Sequence, residues 1–282
     1  MKKFLSLILA VGLSFSLVAC GEKNENETQN KNNTENAQNS SESMDVLDKI
    51  LESKQLIIGT SPDYAPYEFK IVEDGKEKTV GFDIDISNEI AKDLGVELKI
   101  VETNLKGILL DLENGNIDLG MAALSPTPER EKTIDFSDIY YTSTQSILVD
   151  AKKVDEFKDL SSFSNKKVGV QSTSIQEQIA KEQMPDAKLI TLEKLPQIIL
   201  DLNGGNIDAA ILETPVAEGY VKQFPNLAIA KVTVPNESNG SAIAVKKGNP
   251  KLLEAVNKTI KRLKDEGLIE QFVINSTELM QK

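Results

Sequence analysis

The chain has 282 residues, a net charge of −12, no histidine, no tryptophan and a single cysteine. The acidic excess argues against a nucleic-acid partner and against a wide electrostatic grip on anionic lipid. The missing histidine and lone cysteine exclude a Cys-His or Ser-His-Asp nucleophile system, a zinc site and an intramolecular disulfide, and nothing in the composition calls for a metal or a cofactor.

At the start, Lys2 and Lys3 precede an apolar run from Phe4 to Val18 that ends in Ala19 and Cys20. A basic start, about a dozen apolar residues and small residues before the cut read as an export signal over residues 1–19, too short and wrongly flanked for a membrane-spanning helix. Leu17-Val18-Ala19-Cys20 resembles the lipobox of bacterial lipoproteins, which implies a Cys20 carrying lipid (palmitate-type acyl chains); an ordinary secretory signal with an unrelated cysteine is the alternative. From Glu22 to Ser43 the only apolar residue is Ala37. Such a stretch buries too little to offset its ordering entropy, so residues 20–45 are expected to be a disordered tether reaching roughly 25 Å on average.

The rest of the chain is long enough for one large or two small cores. Gln55 to Thr60 and Lys167 to Gln171 read as buried strands, and Ile84 to Leu94, Ser174 to Gln183 and Lys251 to Glu266 as amphipathic helices. Leu110-Asp111-Leu112-Glu113-Asn114-Gly115-Asn116-Ile117-Asp118 recurs as Leu200-Asp201-Leu202-Asn203-Gly204-Gly205-Asn206-Ile207-Asp208. In both copies an apolar-faced helix stops at a glycine suited to a left-handed cap and then enters a short strand, Leu119 to Ala122 or Ala209 to Leu212. The match suggests two similar α/β units; convergent helix-stop chemistry is the alternative. Strands alternating with helices imply mostly parallel sheets flanked by helices, with ligands collecting at strand ends or between lobes.

Two helix starts could hold an anion. In Ser125-Pro126-Thr127-Pro128-Glu129-Arg130, Thr127 reads as an N-cap and Pro128 as the first helical residue. That puts Arg130 against the positive end of the helix dipole, where it either pairs structurally with Glu129, Glu131 or Asp135 or holds an anion. Around Ser172-Thr173-Ser174, Ser174 and Glu177 fit a capping box, and the same turn is a ready anion site; both readings stay open.

Taken together, Gly59 to Phe69, the Val80-Gly81-Phe82-Asp83-Ile84-Asp85-Ile86 stretch, Ala123 to Arg130, Ile134 to Ser137 and Tyr140-Tyr141 resemble the extracytoplasmic solute-binding proteins of ABC transporters for polar amino acids. The resemblance covers about Leu47 to the end. It implies a two-lobed Venus-flytrap (periplasmic-binding-protein type II) α/β fold, with lobe 1 over 46–144 plus 240–282, lobe 2 over 145–239, and crossovers near Thr142 to Leu148 and Pro235 to Ser241. It also implies that Arg130 holds a ligand α-carboxylate, joined from lobe 2 by the Thr173 backbone and Ser174. Glu213 stands where relatives usually carry an aspartate for the α-amino group; Ala122 and Ser125, with Ala123 between them, would serve the same ammonium. Tyr64 would pack over the ligand side chain, with Ser61, Leu105 and Val170 lining the rest. Relatives that take cations carry an aspartate where this chain has Ser61, and many carry an aromatic where it has Leu105, so an uncharged or mildly polar amino acid is expected over arginine or lysine, although Asp63, Glu68 and Glu213 lie within reach. The implied role is a monomeric, non-enzymatic protein held by Cys20 lipid on the outer face of a Gram-positive membrane, handing an amino acid to an ABC permease and its ATPase. The rivals are a tethered sensor or adhesin, or a carboxylate-dependent enzyme on the same fold.

Overall fold

The structure is a computed structural model and describes residues 45–235 and 240–280. The export signal, Cys20 and nearly all of the tether lie outside the described residues. Among the described residues no helix is long and apolar enough to cross a membrane.

Helix α1 (Val46–Ser53) is capped by the Asp45 side chain and leads into β1 (Gln55–Thr60). A small antiparallel sheet follows, made of β2 (Asp63–Tyr64), β3 (Glu68–Glu73) and β4 (Lys76–Val80). Asp74 and Gly75 both take positive φ between β3 and β4, the two-residue Asp-Gly turn whose twist suits a hairpin. The first lobe continues with α2 (Phe82–Leu94), β5 (Glu97–Glu102), α3 (Leu105–Asn114), β6 (Leu119–Gly120) and β7 (Ile134–Phe136).

The second sheet begins at β8 (Gln145–Asp150) and runs through β9 (Lys167–Gln171), α4 (Ile175–Gln183), β10 (Lys188–Leu192), α5 (Leu195–Asn203), β11 (Ala209–Glu213), α6 (Thr214–Gln223) and β12 (Leu227–Ile229). The chain then returns to the first sheet as β13 (Ala244–Lys246) and ends in α7 (Pro250–Asp265) and α8 (Leu268–Leu279).

The two five-stranded sheets share one plan. The first has the order β5-β1-β6-β13-β7 and the second β10-β9-β11-β8-β12. In each, three strands are parallel and the fourth is antiparallel to them. The sequence repeat falls at equivalent places, α3 into β6 and α5 into β11. Its last aspartate explains its spacing: Asp118 Oδ2 accepts from the Ile57 N–H and Asp208 Oδ2 from the Lys167 N–H, both at 2.8 Å, which pins the entry of the neighbouring central strand. Its isoleucine covers a glycine in that strand. A Cβ at Gly59 would lie 2.5 Å from Ile117, and one at Gly169 would lie 2.6 Å from Ile207.

Two details differ from the sequence expectation. The strand after the first copy is only Leu119–Gly120, because the chain turns at Ala123 with φ +47 to enter the cleft. In the second copy Gly204 stays helical and Gly205, φ +73, makes the left-handed turn, since Gly205 matches the stop glycine of the first copy. Where the chain passes between the two sheets, antiparallel bridges join Tyr141 to Ser241 and Gln145 to Val234.

Candidate functional site between the two sheets

Arg130 stands in a single 3-10 turn, Arg130–Lys132, instead of the α-helix start that Thr127 and Pro128 suggest. Thr127 does cap the turn, its Oγ1 accepting from the Arg130 N–H at 3.2 Å, but β7 begins at Ile134 and leaves no length for a helix. The guanidinium therefore leaves the turn and bridges the cleft. Nη1 donates to the Ser125 carbonyl at 2.7 Å, and Nη2 donates to the Thr173 carbonyl of the second lobe at 2.9 Å.

The acids near Arg130 in sequence are committed elsewhere or turned away. Glu129 binds Lys132, and Asp135 pairs with Lys247 at 3.0 Å. Among the described residues no carboxylate forms an ion pair with Arg130. Desolvation lowers its guanidinium to about 10. A partly buried cation whose hydrogen bonds go to carbonyls is poorly compensated, and an anion entering the cavity improves its pairing.

On the opposite wall, the Ser174 Oγ accepts from the Glu177 N–H at 3.1 Å, as an N-cap should. The reciprocal half of the box is displaced by one residue: Glu177 Oε2 accepts from the Thr173 N–H at 2.8 Å. Thr173 has φ +63, so both Ala123 and Thr173 are non-glycine residues in the left-handed region beside one cavity. Strained backbone of this kind, on the order of 1–3 kcal/mol per residue, clusters at binding sites. With its N–H held by Glu177, Thr173 presents its carbonyl to Arg130. The first turn of α4, Ile175 and Gln176, faces the cavity in its place.

The cavity brings together Ser61, Tyr64, Leu105, Ala122, Ala123, Ser125, Arg130 and Ser174 from the sequence-derived set. It also contains Asp63 and Glu68, flagged as within reach, and Leu124, Gln171, Ile175 and Gln176, which the sequence does not single out. Gln176 had a signal: it is the second residue of a helix whose N-cap was legible. Its Nε2 donates to Gln145 Oε1 at 2.9 Å and to Tyr64 Oη at 3.4 Å.

Val170 and Glu213 are placed otherwise. Val170 is fully buried in the core of the second lobe, packed with Ile147, Val168 and Ile179, because alternate residues of β9 face opposite sides of the sheet. Glu213, the last residue of β11, does not line the cavity. Its carboxylate accepts from the Tyr67 hydroxyl and from the Ser143 hydroxyl, while its N–H donates to Tyr64 Oη at 3.2 Å. With Asp63 Oδ2 accepting from the Leu195 N–H at 3.3 Å and Asn104 donating to Glu193 at 3.2 Å, these contacts hold the cleft closed.

Behind Glu68 lies Asp83 of α2, which accepts from the Ala123 N–H at 3.1 Å and from the Tyr140 hydroxyl at 2.7 Å. Burial pushes Asp83 up to about 6 and Glu213 up to about 7, and it carries Glu68 well above the ordinary glutamate range, helped by the negative charge of Asp83.

Residues 56–274 match the model of the bacterial extracellular solute-binding proteins, family 3. The chain belongs to that family. Among curated relatives, the arginine-binding extracellular protein ArtP of Bacillus subtilis is 34% identical over 96% of this chain and 96% of its own length. The ABC transporter glutamine-binding protein GlnH of the same organism is 30% identical over 96% of each. Among solved structures, the amino acid ABC transporter substrate-binding protein AbpA from Streptococcus pneumoniae, bound to L-arginine, superposes with a TM-score of 0.81 at 36% identity, covering 83% of this chain and 99% of that one. The two-lobed α/β fold of this solute-binding protein is thus the periplasmic-binding-protein type II architecture. The matched relatives are binding proteins.

The raised carboxyls fix a pH dependence. Asp83, Glu68 and Glu213 hold their protons more tightly folded than unfolded, so the stability they contribute is complete below about pH 4 and is lost as the pH rises through 6 to 7 and beyond. Carboxylates held low by partners, such as Glu89 and Glu102, titrate below that window. The melting temperature of the ligand-free protein is expected to fall from pH 5 to pH 8. A flat or rising profile would contradict the burial of these three groups.

Proposed function

We propose that this protein captures one L-amino acid between its lobes and delivers it to an ABC importer. The observation that carries this reading is Arg130, a desolvated guanidinium bridging both lobes with no carboxylate paired to it among the described residues, in a cavity whose other charged lining residues, Asp63 and Glu68, are acidic. That arrangement is complementary to a zwitterion, with the α-carboxylate on Arg130 and the positive charge on the acidic side. Ser125, Ala122 and Ala123 stand beside Arg130 to receive the amino-acid backbone, Ser174 and the start of α4 close over it, and Tyr64 and Leu105 flank the side chain. Ser61 and Leu105 speak for an uncharged or mildly polar ligand. Asp63 and Glu68 in the same lining, together with arginine-binding relatives, weigh toward a cationic side chain, and we favour arginine or lysine over glutamine.

The bridged crossover residues, Tyr141 with Ser241 and Gln145 with Val234, are suited to act as the hinge. A ligand touching both lobes only when they are closed moves the equilibrium toward closure by its differential affinity. The closed form would dock on a permease whose ATPase is a separate chain. It would work as a monomer outside the cell membrane, tethered through lipid on Cys20, and without catalysis.

Calorimetry should show heat with L-arginine and none with agmatine, the same side chain without the carboxylate. Equal binding of both would sink the Arg130 assignment. For the anchor, Cys20→Ala is expected to move the protein from the membrane fraction to the medium; retention in the membrane would contradict it.

A further inference from the structure

Glu68 opens β3, is 1% exposed, and lines the cavity with one carboxyl oxygen, Oε2, that has no hydrogen-bond partner. The charged groups acting on it are acidic, Asp83 from α2, Asp63 from β2 and Glu213 from β11, and the titratable hydroxyls of Tyr64 and Tyr140 lie within its influence. Asp83 already receives two donors, the Ala123 N–H and the Tyr140 hydroxyl, and its charge acts on the Glu68 carboxyl. Glu213 is satisfied by Tyr67 and Ser143. The cation in the same cavity, Arg130, is turned onto the carbonyls of Ser125 and Thr173. Of two adjacent buried carboxyls, the one without donors keeps the shared proton, as like charges in low dielectric require. Here the carboxyl without a donor is Glu68, so the proton is assigned to it.

Resting on the reading that this cavity takes an amino acid, we propose that Glu68 is the counter-ion for a positively charged group of the ligand, and that capture of the ligand expels the Glu68 proton to solvent. The Glu68 O–H bond breaks, the proton passes to buffer, and the carboxylate pairs with an ammonium or guanidinium that keeps its own protons. Affinity consequently tightens with rising pH, by up to about tenfold per unit, until Glu68 is ionised in the free protein. The cation is either the α-ammonium common to all amino acids or the head of a cationic side chain.

Titration calorimetry of the protein at pH 7 with L-arginine and with L-glutamine, each in phosphate and in Tris, measures the proton directly. Net proton release on binding is expected, read as a heat that differs between the two buffers. Glu68→Gln keeps the shape and hydrogen-bonding capacity and removes the titration; it is expected to abolish proton release and to weaken binding about tenfold or more, with an intact melting transition as the control for folding. Loss for both ligands would place the α-ammonium on Glu68, and loss for arginine alone would place the side-chain cation there. Heats independent of buffer, or a Glu68→Gln affinity within about twofold of the parent, would overturn the proposal. Absence of heat with any amino acid would instead overturn the reading of the cavity itself, and this inference with it.

Discussion

Arg130→Ala is expected to weaken amino-acid binding by about 3–5 kcal/mol, a loss of roughly a hundredfold to a thousandfold or more in affinity. The magnitude follows from what is left behind. A ligand carboxylate would enter a cavity lined by Asp63 and Glu68 without the Arg130 guanidinium, so the substitution removes an attraction and exposes the carboxylate to repulsion. The same change should leave the ligand-free protein as stable as before, or slightly more so, because it deletes a desolvated guanidinium that faces only carbonyls. Opposite signs in the two measurements separate a binding role from a structural one. A structural cation would lower the melting temperature of the ligand-free protein when removed. Calorimetry and thermal melting of one variant decide between them.

Gly81→Ala is expected to cost at least about 4 kcal/mol of stability or to prevent folding. Gly81 has φ +128 and precedes α2, where a Cβ would lie 2.1 Å from the Tyr67 carbonyl oxygen and 2.9 Å from Glu68 Cα. Both obstacles are backbone, which cannot swing aside as a side-chain tip can. The contact they protect is the one that seats α2 on the hairpin sheet: the Phe82 N–H donates to the Pro66 carbonyl at 3.2 Å and the Asp83 N–H to the Tyr67 carbonyl at 3.0 Å. Forcing them apart would separate Glu68 from Asp83 and move the acidic wall of the cavity. Gly75→Ala is the control. Gly75 is also at positive φ, +74, but a Cβ there would meet nothing within 4 Å, so only the conformational cost of about 1 kcal/mol applies. Urea unfolding of both variants checks the ordering, and equal costs would contradict the packing argument.

Much of the architecture was legible because its signals are local. The strands at Gln55 and Lys167 fall on the expected residues, and α2, α4 and α7 start or end within two residues of their predicted bounds. The repeat was readable because Asp118 and Asp208 carry out the same strand-capping task, and a task fixed by geometry fixes residue type and spacing. Arg130 stood out for a local reason as well, a cation at a turn that has no use for it.

The contacts across the cleft were not legible from the residues themselves. Tyr67 meets Glu213 across 146 positions of sequence, and neither carries a neighbour pattern that announces the other. The turn at Pro128 fails to become an α-helix only because β7 needs the chain at Ile134, a demand set by the sheet. Val170 shows the limit of carrying a position over from relatives, since a one-residue difference in which way a strand residue points moves a side chain from cavity to core. The ligand-selecting balance between Ser61 and Leu105 on one side and Asp63 and Glu68 on the other depends on which side chains share one small space, and only the folded arrangement places all four in it.

The melting temperature of the refolded, ligand-stripped protein against each L-amino acid in turn tests whether the cleft takes an amino acid. A rise of several degrees for one or a few of them, abolished by Arg130→Ala, is the expected result. No rise with any amino acid at millimolar concentration would contradict the account and return Arg130 to a structural role.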